Sequence, residues 1–360
     1  MQEANHKFPY KWTLKDTNFT KDKGSVFSCF SCGGGSSMGY KLAGFDVIGC
    51  NEIDPKMMAA YKSNLNPKYS YLEDIRKFKE RDDLPEELYH LDILDGSPPC
   101  SSFSMAGNRG KDWGKEKKFR EGQVDQVLDT LFFDFIDVAK KLQPKVVIAE
   151  NVKGLLLGDA VAYVRRIYSE FDLAGYHAQH FLLDASKMGV PQRRERVFFI
   201  ALRKDLSEQF MVVKDLFTTL PAIRMEFNEH DILFSEFYQP GVDDRPASMG
   251  KMFEYWKNRM DGDESFCDTI RRISGEERCF TNKYLYGNMV PMTYTSNSDV
   301  IYLFDEYRKP NKHESCYISS FPLDYNFNGL AYNYLLGMSV PPVMIAQVAS
   351  RVYEQWGSIF

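Results

Sequence analysis

Residues 26–54 read VFSCFSCGGGSSMGYKLAGFDVIGCNEID. Val26–Phe30 is a short apolar run of the length expected for a buried strand. Three glycines follow, which permit a tight turn that side chains would obstruct, and the pattern then predicts a helix over Met38–Ala43. The run FDVIGCNEID predicts a second strand that stops at an acid, Glu52. Strand, turn, helix and strand in succession are the unit from which parallel sheets are built.

The rhythm continues outward. A second helix is expected over Pro55–Asn64 and a third strand over Leu91–Asp95, followed by a polar loop over Met105–Gly122. Val124, Val127, Leu128, Leu131, Phe135, Val138 and Ala139 recur at helical spacing, and Pro144 follows their end. KVVIAEN (145–151) and VFFIALR (197–203) predict two further strands. The expected fold class is α/β, a doubly wound, mostly parallel sheet. From about Lys204 the rhythm gives way to aromatic residues and turns, which suggests a second, smaller domain. The final stretch, GMSVPPVMIAQVASRVYEQW (337–356), returns to order with a helix started by Pro341-Pro342. The expected organisation is 1–203, 204–329 and a returning segment 330–360.

With 360 residues, 44% hydrophobic and 26% charged, the composition is that of a globular protein. A net charge of −5 argues against nonspecific coating of nucleic acid but leaves room for a local basic groove. We find no apolar run of bilayer length and no signal-peptide pattern at the start, so a cytoplasmic location and no membrane partner are expected. The seven cysteines have no framework spacing and read as mostly reduced thiols. Cys29 and Cys32 form a C-x-x-C, but glycines follow it and no second pair completes a zinc site, so no metal is expected.

In open α/β sheets ligands bind beyond the carboxyl ends of the strands. Gly33, Gly34 and Gly35 follow the first predicted strand, Glu52 ends the second, Cys100 follows the third and Glu150 ends KVVIA. A glycine turn with an acid about 20 residues on suits a ribose hydroxyl pair. The G-x-G-x-x-G phosphate cradle does not occur, so an adenosine ligand without a pyrophosphate fits better, and S-adenosylmethionine is the candidate cofactor. A purely structural turn would need the same glycines. Pro98 and Pro99 stiffen the approach to Cys100, and a Ser-rich loop follows, which favours a reachable thiol over a buried one. Glu150 could equally cap a helix, and Asn151 could be a turn residue.

FSCGGGSSMGYKLAG, NEID, DGSPPCSSFS, ENVKG, QRRER and GMSVPP, in that order, resemble the signature blocks of the DNA (cytosine-5) methyltransferases, of the bacterial or phage, restriction-modification type. The resemblance implies a Rossmann-like methyltransferase fold with a smaller target recognition domain. It implies Cys100 as nucleophile, Glu150 as the acid at cytosine N3, and Arg194 and Arg196 as the pair that steadies the base and its phosphate. It further implies an S-adenosylmethionine site from Phe30, Gly33, Gly34, Gly35, Glu52, Ile53, Asp74, Ile75, Pro99 and Ser339. Arg308, Asn311, Glu314 and Ser320–Pro322 loosely match the block that closes the recognition domain. The basic loop over 106–120 taken alone reads as a solvated surface loop; beside a nucleophile it looks like a lid that closes on DNA phosphates around a flipped-out base. Departures are Cys32 at a usual Gly, Ser101 at a frequent Gln, Asn311 at a usual Thr and Met338 at a usual Asn. The implied partners are double-stranded DNA and, within a restriction-modification system, a cognate restriction endonuclease; a monomer is expected. A cytosine-5 methyltransferase acting on transfer RNA, which shares the catalytic blocks, is the alternative, and an inactive binding relative is a third.

Overall fold

The computed structural model describes residues 6–99, 130–158, 160–214, 218–244, 249–277 and 281–360. Cys100, the loop over 105–122 and the first part of the expected helix over 124–139 lie outside the described residues. The chain forms two compact units.

One unit comprises Asn18–Asp184, Glu195–Glu226 and Ile345–Phe360. Its elements run β1 (Ser25–Cys29), α1 (Gly35–Leu42), β2 (Asp46–Glu52), α2 (Pro55–Leu65), β3 (Tyr69–Leu72), α3 (Ile75–Phe78), β4 (Ile93–Gly96), α4 (Leu131–Leu142), β5 (Val146–Val152), α5 (Ala160–Leu173), β6 (Tyr176–Asp184) and β7 (Glu195–Arg203). The seven strands form one sheet in the order β3-β2-β1-β4-β5-β7-β6. The first five are parallel, as expected for doubly wound α/β architecture. β7 runs antiparallel to both β5 and β6. Central strands such as β4 are buried along their whole length, including the acid Asp95.

The strand β3, the helix α5 and the strand β6 were not apparent from residue patterning. β3 has four residues, none of them buried, and β6 alternates irregularly between buried and half-buried positions at the sheet edge. α4 is pressed against the end of β4: a Cβ at Gly96 would lie 2.4 Å from the Phe135 ring. After β7 a short hairpin follows, β8 (Met211–Val213) with β9 (Thr219–Pro221).

The other unit comprises Met1–Thr17, Ala185–Arg194 and Phe227–Met344. It holds α6 (Lys251–Lys257), α7 (Phe266–Ser274), a parallel pair β10 (Lys283–Leu285) and β11 (Ile301–Leu303), α8 (Lys312–Ile318) and α9 (Tyr332–Met338). Much of its interior is aromatic: Phe266 stacks on Tyr284 at 4.7 Å and Tyr286 on Phe304 at 4.1 Å between ring centres. A last helix, α10 (Pro342–Trp356), begins at the expected proline. Tyr332–Ile359 is apolar and long enough by composition alone to cross a bilayer, but 89% of its most apolar window is buried within the protein, as in a core helix.

Candidate active site

The turn after β1 is built from alternating left-handed residues. Phe30, Cys32 and Gly34 have φ of 53°, 48° and 85°. At Gly34 a side chain is excluded twice over, by that φ and because a Cβ would meet Leu65 Cδ1 at 2.5 Å. This lets α2 close on the turn. Phe30 packs against the sheet core, half-buried, while Gly33 and Gly35 are buried.

Glu52, the last residue of β2, holds the turn in place. One carboxylate oxygen accepts from the Cys32 amide at 2.7 Å, and the other from the amides of Ile53 at 2.9 Å and Asp54 at 2.8 Å. Burial raises its pKa, while the three amides favour the charged form and oppose that rise. A carboxylate offers about four acceptor positions, so three amides leave room for a ligand hydroxyl. Beside it, Ile53 is 38% exposed, an apolar side chain offered at the strand end. Asp54 caps α2 through the Lys56 and Met57 amides.

Asp74 caps α3 and forms a two-pronged ion pair with Arg76 at 3.0 and 2.7 Å. Burial acts to raise its pKa, but the Arg76 contacts outweigh it and the carboxyl is held low, as an acceptor. Ile75 is buried in the sheet core. The spare acceptor capacity of Glu52, the ionised Asp74 and the exposed Ile53 fit the ribose, amine and ring of an adenosine group.

At the centre of the sheet, strand register assembles a second cluster. Because β7 is antiparallel, its first residues lie with the carboxyl end of β5. Arg196 pairs with Val152 and is therefore a diagonal neighbour of Glu150 on the same face. Arg196 Nε donates to Glu150 Oε1 at 2.8 Å, and both side chains are largely buried. Burial lowers the pKa of Arg196, and the Glu150 carboxylate opposes that shift. Asn151, 3% exposed, donates through Nδ2 to the Pro98 carbonyl at 3.1 Å. Its own Oδ1 accepts from the Val152 amide at 2.9 Å. The end of β5 is thereby tied to the Pro98-Pro99 segment, in which Pro99 is half-buried.

Arg194, two residues before Arg196, belongs to the other unit. Its buried guanidinium donates to the carbonyls of Tyr294 at 2.8 Å and Ser339 at 3.1 Å. Ser339 ends α9, and its hydroxyl donates to the Leu335 carbonyl at 2.9 Å. Arg308, Asn311 and Glu314 also meet in that unit. Arg308 grips Glu314 at 2.7 and 2.9 Å, and Asn311 and Glu314 form the capping box of α8. Two residues escaped the sequence reading, Asp95 and the tying role of Asn151. Asp95 is a fully buried acid on β4, and its signal was a charge inside an otherwise apolar strand.

A family model for C-5 cytosine-specific DNA methylases matches residues 24–354. The chain belongs to that family. Type II methyltransferase M.NgoPII of Neisseria gonorrhoeae is 39% identical over 191 residues, covering 52% of this chain and 51% of that protein. M.FnuDI of Fusobacterium nucleatum is 38% identical, covering 51% of this chain and 48% of that protein. The chain thus spans about half the length of these two relatives. M1.HphI of Haemophilus parahaemolyticus is 27% identical, over 90% of this chain and 85% of that protein. Among solved structures, a mutant of Spodoptera frugiperda DNMT2 superposes with a TM-score of 0.62 at 18% identity, covering 92% of this chain and 99% of that one. That likeness is one of fold.

Proposed function

We propose that the protein is a site-specific DNA methyltransferase acting on carbon 5 of a cytosine flipped out of duplex DNA. The observation that carries this reading is the Glu150–Arg196 pair at the end of β5, with Asn151 holding the backbone two residues before Cys100. Carbon 5 of cytosine is a weak nucleophile. Addition of the Cys100 thiolate to carbon 6, with a proton given to N3 by Glu150, turns the ring into an electron-rich adduct. The turn after β1, Glu52, Ile53 and Asp74 would hold S-adenosylmethionine, whose sulfonium would give its methyl to the electron-rich carbon 5 and leave as the neutral thioether. Loss of the carbon-5 proton then lets the cysteine leave. Arg196 fixes the orientation of Glu150, and Arg194 shapes the backbone around Ser339. Residues 204–329 read the target sequence in this proposal. The Type II names of the relatives support a restriction-modification setting with double-stranded DNA as substrate and a cognate endonuclease as partner.

The test is covalent trapping. A duplex with 5-fluorocytosine at the target offers no proton to lose, so the adduct persists through denaturing electrophoresis. Trapping is expected to need S-adenosylmethionine, to vanish in Cys100→Ala and to slow roughly 100-fold in Glu150→Gln. Methylation of the analogue without trapping would overturn the covalent route. Trapping on RNA but not DNA would move the substrate to transfer RNA.

A further inference from the structure

We propose that Asn51 is a positioning residue for cofactor selection: its buried amide ties the end of β3 to β2, and so sets Asp74, which meets the adenine amine, against Glu52, which meets the ribose. The inference rests on the reading of Glu52 and Asp74 as the acids that receive an adenosine group.

Asn51 directly precedes Glu52 on β2 and is 1% exposed. In the parallel register it lies opposite Tyr71 of β3. Its Nδ2 donates to the Tyr71 carbonyl at 3.2 Å and to the Glu73 carbonyl at 2.9 Å. Carbonyls cannot donate, so the nitrogen end of the amide must face them, and both of its protons are used. Glu73 is gripped from its other side too, because its amide donates to the Glu52 carbonyl at 3.1 Å. The Glu73 carbonyl shares a rigid peptide plane with the Asp74 amide. Fixing that plane fixes where Asp74 departs from the sheet. β3 is a four-residue edge strand with no fully buried residue, so its end gains less from packing than the central strands do.

The two acids have separate supports. The Glu52 carboxylate is held by the amides of Cys32, Ile53 and Asp54, none of which depends on the Asn51 side chain. The Asp74 carboxylate is oriented by the guanidinium and amide of Arg76. Those contacts travel with α3 and leave the separation of Asp74 from Glu52 open. Asn51 closes it from the β2 side. Removing its side chain spares the backbone bond from the Ser31 amide to the Asn51 carbonyl, at 3.2 Å, that joins the turn after β1 to β2. One acid should therefore lose its place while the other keeps it. A residue that only filled the core would weaken both.

The experiment is calorimetric titration of the full chain, without DNA, with three probes. They are S-adenosylhomocysteine, its 6-oxo analogue S-inosylhomocysteine, and its 2′-deoxy analogue. The wild type is expected to favour the amine over the 6-oxo group by roughly ten-fold or more, the scale for a hydrogen bond to a charged group. In Asn51→Ala that preference should fall to within about three-fold of none, while the preference for the ribose hydroxyl stays within about two-fold of wild type. Asn51→Thr suits a strand and keeps only one, shorter donor; it should show the same selective loss and serves if the alanine variant folds poorly. Asp74→Asn is the control. If it retains the full amine preference, the reading of Asp74 falls and this inference with it. If Asp74→Asn loses the preference but the Asn51 variants keep it, or lose amine and ribose preferences in equal measure, this inference alone is overturned.

Discussion

In the sheet unit, Glu52 is held by three backbone amides at the end of a strand, whereas in the other unit Glu314, fully buried, is gripped by the two prongs of Arg308. The difference separates an acid with acceptor capacity to spare from a brace. Amides along a turn are fixed by the fold and leave a carboxylate with acceptor capacity to offer a ligand. A guanidinium clasping both oxygens of a buried acid leaves little, and its role is to hold α8 to the segment before it. The two arginines of QRRER repeat the contrast. Arg196 meets a carboxylate at a strand end, while Arg194 is directed at the backbone carbonyls of Tyr294, Gly337 and Ser339.

The largest effect should break the brace. Arg308→Ala leaves Glu314 buried and without its cation, with Glu306 losing the same partner. Stripping one member of a buried pair costs about 3–5 kcal/mol. A fall of that size in unfolding free energy is expected by denaturant titration. A loss below about 1 kcal/mol would mean that the aromatic stacks, not the ion pair, hold this unit.

The sheet unit makes the opposite case at Asp95, a buried acid with no cation paired to it among the described residues. Its pKa of about 7 in the folded protein lies above its ordinary 3.8, so folding takes up a proton between these values. Stability at Asp95 is therefore greatest below about pH 4, falls as pH rises toward 7 and is flat beyond, at a total cost of up to about 4 kcal/mol. Asp95→Asn removes that dependence. Relative to wild type, the variant should gain stability progressively from pH 4 to pH 7, measured by chemical denaturation. A constant offset across that range would show that Asp95 does not titrate there.

The same contrast explains what the sequence made legible. β1, β2, β4, β5 and β7 lie in the sheet interior, so each carries a short buried run rich in apolar residues that stands out in the sequence. β3 and β6 are half-buried edges whose residues satisfy neither a core nor a surface pattern. No periodicity reveals strand order, so the insertion of β7 beside β5, which brings Arg196 to Glu150, had to come from the structure. Glu52 and Glu150 could be singled out because each ends an apolar run. Asp95 also ends its predicted strand, but nothing in the pattern shows that it is buried, and the tie from Asn151 to Pro98 is a hydrogen bond between residues 53 apart. In the other unit, where helices and strands are short and ring stacks fill much of the interior, the pattern said little beyond aromatic content.

A smaller effect should sharpen the functional side of the comparison. Asn151→Ala leaves the Pro98 carbonyl without the Asn151 amide, at a cost of about 1–3 kcal/mol. It also loosens the segment that leads to Cys100. Trapping on 5-fluorocytosine duplex is expected to slow by roughly ten-fold or more through lost orientation. In the proposed function S-adenosylmethionine rests on the ends of β1–β3, so its affinity should hold. Equal losses in both would mean that Asn151 supports the whole sheet rather than one loop.

The smallest expected effect tests the turn that Glu52 holds. Cys32 stands where the family usually has glycine, and its φ of 48° lies in the left-handed region. A side chain there costs about 1–2 kcal/mol. Cys32→Gly relieves that strain but gives the unfolded chain more freedom, a penalty of about 0.5–1 kcal/mol. It also deletes the contact of the thiol with Met57 Sδ at 3.8 Å. The balance is a net gain of about 0.5–1 kcal/mol, read as a small rise in the denaturant midpoint. The amide that Cys32 donates to Glu52 is unchanged by the substitution, so cofactor affinity should be preserved. A loss of stability would show that the Met57 contact outweighs the strain, and that in this turn a side chain contributes to holding a structure that the backbone amides were taken to hold alone.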